Sequence, residues 1–316
     1  DISGLTAAGQ KLAKAALLAW TDVTGIRFNT SPAANAAIHI TIDDNDSGAY
    51  SQSLVFGSTI SSSTVNISKD WLVDSGTGFD SYSYQTYIHE LGHALGLGHA
   101  GNYNGSATYG IDNHYANDSW QMSIMSYFDQ IENTAVDASR AYVVSPMMAD
   151  ILALRTLYGT PSLRTGDTVY GENSTAGGNY AMISNLLATG ARSNITFTIV
   201  DSGGTDTLDL SGDTQAQRIT LASGGISSAY GLTGNILIMQ GTAIENLRAG
   251  SGSDVLYGNS INNRISGGAG NDRIDGLSGD DTLVGGSGSD TLKGGLGNDR
   301  YVTDGRDILY EGAVAG

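Results

Sequence analysis

The chain contains no cysteine, so no disulfide can hold it together, and only 3 prolines interrupt its 316 residues. A lack of cysteine does not place a protein in a reducing compartment, because bound cations can do the work of disulfides. Basic residues are scarce too: 15 Lys and Arg stand against 32 Asp and Glu, a net charge of −17. That balance argues against nucleic acid or an anionic membrane as partner, and for cations that neutralise clustered carboxylates. No apolar run is long enough to cross a bilayer, and the chain starts without an apolar signal. Residues 5–20 are amphipathic instead. Leu5, Leu12, Ala16 and Trp20 fall on or near one helical face with Lys11 and Lys14 off it, which predicts a core-facing helix and not a membrane anchor. What the chain has in quantity is glycine, 44 residues in all, set most densely over roughly its last seventy positions.

The densest chemistry lies at residues 89–99, HELGHALGLGH. His89 and His93 are four apart and so share one face of a helix. Two imidazoles placed that way can hold Zn²⁺. Glu90 adjoins the first ligand, where its carboxylate can reach a metal-bound water without coordinating the metal. Gly96 lets the chain leave the helix, and His99 can swing back as third ligand. Three protein ligands leave one position open for water, which marks a catalytic zinc site rather than a structural one. A buried helix that merely carries histidines would not need the added glycine and third histidine at this spacing. The remaining two histidines, His39 on a strand-like segment and His114 in a loop, read as structural or solvated.

Two halves follow from periodicity. In the first, residues 37–42, 50–56 and 64–68 read as strands, 81–97 as the zinc helix, 101–121 as a long polar loop, and a helix opens at Pro146 and stops near Gly159. The domain boundary falls near Pro161, giving domains 1–160 and 161–316. The second half has a nine-residue period, starting at 250, 267, 276, 285 and 294, with Asp254, Asp272, Asp281, Asp290 and Asp299 in register. Position 263 is Asn263 and position 261 is Ile261 where the period demands Asp and Gly, so that repeat is degenerate. Glycines let carbonyls turn toward a cation and let coils stack; aspartate supplies a hard oxygen suited to Ca²⁺. Leu256, Ile274, Leu283, Leu292 and Tyr301, two after each aspartate, point into a narrow core. One coil uses two nonapeptides, so Asp272 pairs with Asp290 and Asp281 with Asp299. A flexible linker would not keep this register.

Ser123-Ile124-Met125-Ser126-Tyr127, downstream of His99, resembles the Met-turn of the metzincin endopeptidases. With the nonapeptides, the chain resembles the serralysins, secreted RTX-type metzincin endopeptidases of bacteria. The resemblance implies an α+β metzincin-like catalytic domain followed by an all-β parallel β-roll. It implies Met125 as an apolar floor beneath the imidazoles and Tyr127 as a group reaching the zinc or the developing oxyanion. Glu90 is then the general base of a zinc endopeptidase. The segments 164–171 and 201–209 resemble the family's approach to its β-roll, where they meet around calcium. Carried over, the ligands are carbonyls of Arg164, Gly166, Thr168 and Gly203 with carboxylates of Asp201 and Asp206, and at a neighbouring site Gly204, Asp206, the carbonyl of Ala243, and Glu245. The implied cofactors are one Zn²⁺ and several Ca²⁺. The implied partners are protein or peptide substrates and a proteinaceous protease inhibitor, for a monomer secreted by the type I route. A substrate peptide would pair with an edge strand, for which 50–55 is the candidate.

Three departures accompany the likeness. Ala100 follows His99 where the serralysins usually have proline. The chain starts close to the family's first long helix. It ends at Gly316 without the family's usual acidic residue followed by apolar ones, so either that end has been cut or this member is built shorter. Two readings compete: a calcium-dependent adhesion or display protein with an inactive metalloprotease-like half, and a zinc hydrolase acting on something other than protein.

Overall fold

A computed structural model of the chain describes residues 1–30 and 38–311. Two compact units emerge, one of residues 1–161 with 194–197, the other of residues 162–193 with 198–316.

In the first unit, helix α1 (Ala7–Thr24) starts where the Thr6 hydroxyl accepts the Gly9 N–H and ends at Gly25 in the left-handed region. Leu12, Ala13, Ala16 and Trp20 form its buried face, as amphipathicity requires. Strands β1 (His39–Asp43), β2 (Ala49–Phe56) and β3 (Thr59–Ile67) form a sheet ordered β1-β3-β2, with β1 parallel and β2 antiparallel to β3. The strand expected over 37–42 thus begins at His39, and Ala37 lies outside the described residues. The strand expected over 64–68 begins earlier, at Thr59, because the antiparallel pairing with β2 reaches to Phe56. Strand β2 is an outer strand of this sheet, and it contains the proposed edge at 50–55.

Helix α2 (Lys69–Ser75) was not foreseen; it is short and opens on the Ser68 hydroxyl. Helix α3 (Tyr82–Ala94) carries the histidine motif and is capped by the Ser81 hydroxyl, which accepts the Tyr84 N–H. Its buried Tyr84, Tyr87, Ile88 and Leu91 anchor it in the core, and the Trp20 indole donates to the Ile88 carbonyl at 3.0 Å. Burial of four such side chains stabilises the unit by roughly 1.5–3 kcal/mol each, so the face bearing the histidines is held by the face that does not. Helix α4 (Met148–Tyr158) begins two residues after Pro146, because the Asp150 carboxylate accepts the Met147 N–H and makes Met147 the cap.

The second unit contains a helix at Gly178–Leu187 that the sequence pattern did not mark. The unit also holds two all-parallel sheets. One orders Val169–Gly171, Thr207–Asp209, Asn246–Arg248, Arg264–Ala269, Thr282–Ser287 and Arg300–Val302; the other orders Arg218–Thr220, Val255–Asn259, Arg273–Ser278, Thr291–Leu296 and Ile308–Tyr310. Successive strands along the chain alternate between the sheets. Between Asn246 and Val302, partners within a sheet are therefore eighteen residues apart, as in Leu283 opposite Ile265 and Leu292 opposite Ile274. Leu256, Ile265, Ile274, Leu283 and Leu292 are all fully buried. Tyr301 departs from the pattern: it is only half-buried, and its hydroxyl accepts the Gly294 N–H and donates to the Tyr310 carbonyl. A hydroxyl needs such partners, so the ring is drawn toward the end of the roll and not into its core.

Candidate active site

Helix α3 ends in a tight turn that makes the site. The Leu97 N–H donates to the Gly92 carbonyl and the Gly96 N–H to the His93 carbonyl, with Gly96 at φ +96°. This pairing closes a helix through a left-handed residue, which is glycine's conformation. The helix thereby stops at Ala94, three residues before the end expected at 97, and the chain doubles back to bring His99 beside His93. Their Nε2 atoms are 3.0 Å apart, and one ring nitrogen from each of His89, His93 and His99 lies within 4.8 Å of the others. His39 and His114 are exposed elsewhere.

Each Nδ1 faces a backbone carbonyl at 2.8 Å: Ile124 for His89, Leu97 for His93 and Tyr103 for His99. A carbonyl only accepts, so each Nδ1 carries the proton and each Nε2 keeps its lone pair. Burial holds all three imidazoles below their ordinary value, and His93 beside it helps push His89 to about 3. Three neutral rings with converging lone pairs fit Zn²⁺, and the carbonyl partners fix tautomer and ring orientation. Without a cation, two lone pairs would face each other at 3.0 Å.

Glu90 is 6% exposed, its Oε2 is buried without a hydrogen-bond partner, and burial raises its carboxyl to about 7. An orphaned carboxylate oxygen is costly, and its place here is in a cleft of about 600 Å³ shared with His89 and Tyr127. Trp71, Tyr82 and Trp120 wall that cleft, with ring centroids 6.0 Å apart along the series. Gly48 and Ala49, where β2 starts, also line it. Met125 is 2% exposed and lies against α3 where Gly92 leaves room; a Cβ there would come 2.6 Å from its sulfur. The Tyr127 ring lies 4.4 Å from His99 and 6.1 Å from His89, and its hydroxyl accepts the Gly105 N–H at 3.4 Å.

One supporting residue escaped the sequence reading. Asp150 is fully enclosed in α4, and its carboxylate accepts the Ser123 hydroxyl at 2.6 Å and the Ile124 N–H at 2.8 Å. It thus clamps the turn whose Ile124 carbonyl orients His89. Burial raises it to about 6 against those donors. Its position, three after a helix cap, was the only available signal.

The second cluster is a set of carboxylates in the second unit. Residues 164–168 and 201–206 lie side by side: the Thr168 N–H donates to Asp206 Oδ1 at 2.8 Å, and a Cβ on Gly204 would lie 2.7 Å from the Gly166 carbonyl oxygen. Asp206 N–H donates to Glu245 Oε2 at 2.7 Å, and Gly203 N–H to Asp201 Oδ1 at 2.6 Å. Asp206 Oδ2 is buried without a partner, and burial, with Asp201 and Glu245 nearby, raises this carboxyl to about 7. The Arg164 guanidinium donates to the Val200 carbonyl; Ala243 is exposed two residues before Glu245.

The repeat aspartates form two ladders. In one, Oδ1 of Asp254, Asp272, Asp290 and Asp307 accepts the N–H of Gln217, Asp254, Asp272 and Asp290 in turn, at 2.7–3.0 Å. In the other, Oδ1 of Asp281 and Asp299 accepts the N–H of Asn263 and Asp281 at 2.7 and 2.9 Å. Oδ2 of all six aspartates is buried without a hydrogen-bond partner. Asn263 keeps its rung, but its side chain is occupied by the Asn259 N–H and the Glu245 carbonyl. Asp307 was missed because it follows Asp290 by seventeen residues and not eighteen, although Leu309 stands two beyond it as the repeat requires. A row of buried, unpartnered carboxylate oxygens fits hard cations such as Ca²⁺.

Against known proteins, a family model described as Matrixin matches residues 5–121, and one described as Peptidase M10 serralysin C terminal matches residues 160–314. The turn holding Met125 and Tyr127 lies in neither match. Metalloprotease AprA of Pseudomonas entomophila (strain L48) is 40% identical over 79% of this chain and 53% of its own length. Serralysin B of Dickeya chrysanthemi is 38% identical over 77% of this chain and 52% of its own. The chain spans about half the length of these curated relatives.

Proposed function

The chain belongs to the serralysin-type metallopeptidases, and from that premise we propose that it is a secreted zinc-dependent endopeptidase that cleaves peptide bonds of extracellular proteins. The observation that carries the reading is the convergence of one ring nitrogen from each of His89, His93 and His99, with His89 and Glu90, whose Oε2 has no hydrogen-bond partner, lining one cleft.

His89, His93 and His99 would hold Zn²⁺, each through the ring nitrogen that faces no carbonyl. When bound there, Zn²⁺ would supply Lewis-acid chemistry, lowering the pKa of a bound water toward neutrality. Glu90, buried next to the first ligand, takes the proton of the attacking water and delivers it to the leaving amine. The Tyr127 hydroxyl, beside His99 and loosely held by Gly105, assists the carbonyl oxygen as it gains charge. The substrate backbone pairs with the outer strand β2, whose start lines the cleft. Met125 supports the imidazoles from beneath.

In the second unit, the aspartate ladders and the 164–168, 201–206 and 245 cluster would hold Ca²⁺. The Asn263 rung contributes less, since its amide is already occupied. Folding of a cysteine-free, cation-dependent roll would wait until the chain leaves a calcium-poor cell, which suits type I export.

Casein hydrolysis in calcium buffer tests this reading, comparing wild type with Glu90→Ala, with and without 1,10-phenanthroline. Glu90→Ala should lower turnover by ~10²–10⁴ or more while zinc content stays at one per chain. Substantial turnover by zinc-loaded Glu90→Ala, or none by folded, zinc-loaded wild type, would sink it.

A further inference from the structure

Tyr103 meets the site at two points. Its carbonyl accepts the His99 Nδ1–H at 2.8 Å. Its ring stacks on His99 at 5.4 Å and an interplanar angle of 25°, and lies 4.9 Å from the Tyr127 ring. The position of His99 depends on this residue more than on any helix, because His99 lies beyond the end of α3. Something must in turn hold Tyr103, which sits in the loop after the motif. Its hydroxyl, 7% exposed as a residue, donates to the carboxylate of Asp118, 3.1 Å from each oxygen. Asp118 is 3% exposed and is itself fixed, since the Asn133 side chain donates to its carbonyl at 2.9 Å. The proposed mechanism does not use this buried carboxylate.

We propose that Asp118 is a positioning residue for the metal site, acting through the Tyr103 hydroxyl to hold His99 and the Tyr127 ring in place. The inference rests on the zinc-site reading above. His89 and His93 are placed by α3, so loss of the Asp118–Tyr103 contact should loosen one ligand of three. Groups that orient a ligand in this indirect way typically govern metal affinity by ~10–100-fold. Tyr127 shares the same ring contact, so kcat should fall in zinc-saturated variants while KM stays near that of wild type.

The test is zinc affinity of the calcium-loaded full chain, measured by chelator competition for wild type, Asp118→Ala, Asp118→Asn, Tyr103→Phe, the Asp118→Ala/Tyr103→Phe double variant and His93→Ala. Circular dichroism with thermal melting identifies any variant that fails to fold; Asp118→Asn, which keeps one acceptor oxygen, serves where Asp118→Ala does. Each single variant at full truncation should weaken zinc roughly tenfold, with Asp118→Asn between it and wild type. The double variant should match the singles, because both remove the same contact. A double variant weakened by the product of the two, or folded Asp118 variants that bind zinc as wild type does, would overturn the inference and leave the zinc reading standing. A wild type that takes up no zinc, or a His93→Ala that binds it equally well, would overturn both.

Discussion

The two units solve opposite electrostatic problems. At the histidine site the ligand atoms are neutral, and the protein itself sets them: three backbone carbonyls hold the Nδ1 protons at 2.8 Å, and the buried face of α3 fixes the backbone that bears two of the rings. In the roll the candidate ligands are carboxylates stacked one coil above another, and each ladder satisfies only one oxygen of each aspartate. In its repeats the buried apolar side chains come one per strand, Leu256, Ile265, Ile274, Leu283 and Leu292, from coils rich in glycine, so conformational entropy weighs heavily against it. A site made of neutral groups can exist before its metal arrives. A site made of stacked anions cannot be comfortable without one.

Selective removal of the two metals should break this comparison most visibly. At pH 8, EGTA should abolish the β-sheet circular dichroism of residues 198–311, whereas 1,10-phenanthroline should stop activity and leave the spectrum unchanged. Retention of the roll's spectrum in EGTA would show that its core alone suffices.

A core substitution in each unit gives the next largest effect. Leu283→Ala and Leu91→Ala each empty a fully buried position and should each cost ~2–5 kcal/mol in calcium buffer, read from thermal or urea unfolding. They should differ in linkage. Leu283→Ala should raise the calcium concentration needed to fold the roll, and Leu91→Ala should leave it unaltered. Equal calcium midpoints would mean that the Leu283 side chain has no part in the calcium-linked folding of the roll.

The unequal legibility of the two units has the same physical root. The roll repeats one solution, so a single period predicted the eighteen-residue strand register, the buried leucines and isoleucines, and the paired aspartates. It failed where the period slips, at Asp307, and where a hydroxyl seeks partners, at Tyr301. In the first unit the histidines were legible because a helix and a glycine turn are local. Asp150 was not: its role comes from Ser123 and Ile124, 27 and 26 residues away. Tyr103 and Asp118 were hidden for the same reason, fifteen residues apart in a loop with no periodicity. The helix Gly178–Leu187 escaped because it opens on Gly177 and Gly178 with no side-chain cap to mark its start.

Proton binding sharpens the contrast further. In the calcium-free roll, burial raises Asp254 to about 6 and Asp272 and Asp281 to about 7, with neighbouring aspartates adding to each. Their ordinary value is about 4, so between about pH 4 and 7 the folded roll binds more protons than the unfolded chain. Stability of the calcium-free roll should therefore be greatest below about pH 4 and be lost as pH rises through 6 to 7. With calcium bound, the trend should reverse, since protons then compete with the cation. Urea unfolding at pH 5 and 8, with EGTA or calcium, checks both signs; parallel trends in the two buffers would contradict the ladder as a cation site.

The smallest effect is the most discriminating, because one substitution should act in opposite directions. Asn263 occupies an aspartate rung with its amide oxygen taken by the Asn259 N–H and its amide nitrogen donating to the Glu245 carbonyl. Asn263→Asp keeps the acceptor for Asn259, loses the donor to Glu245, and adds a charge next in the row to Asp281, whose Oδ1 already accepts the 263 N–H. Without calcium that is one more buried anion beside its neighbours, and the roll should be less stable. With calcium it is one more hard oxygen in the row, and ligand charge tunes affinity, so the calcium midpoint for folding should fall roughly threefold. Destabilisation in both conditions would mean that the ladder's unpartnered oxygens face no cation at this coil. A gain in both would mean that the asparagine was a packing defect and that charge has no part in it.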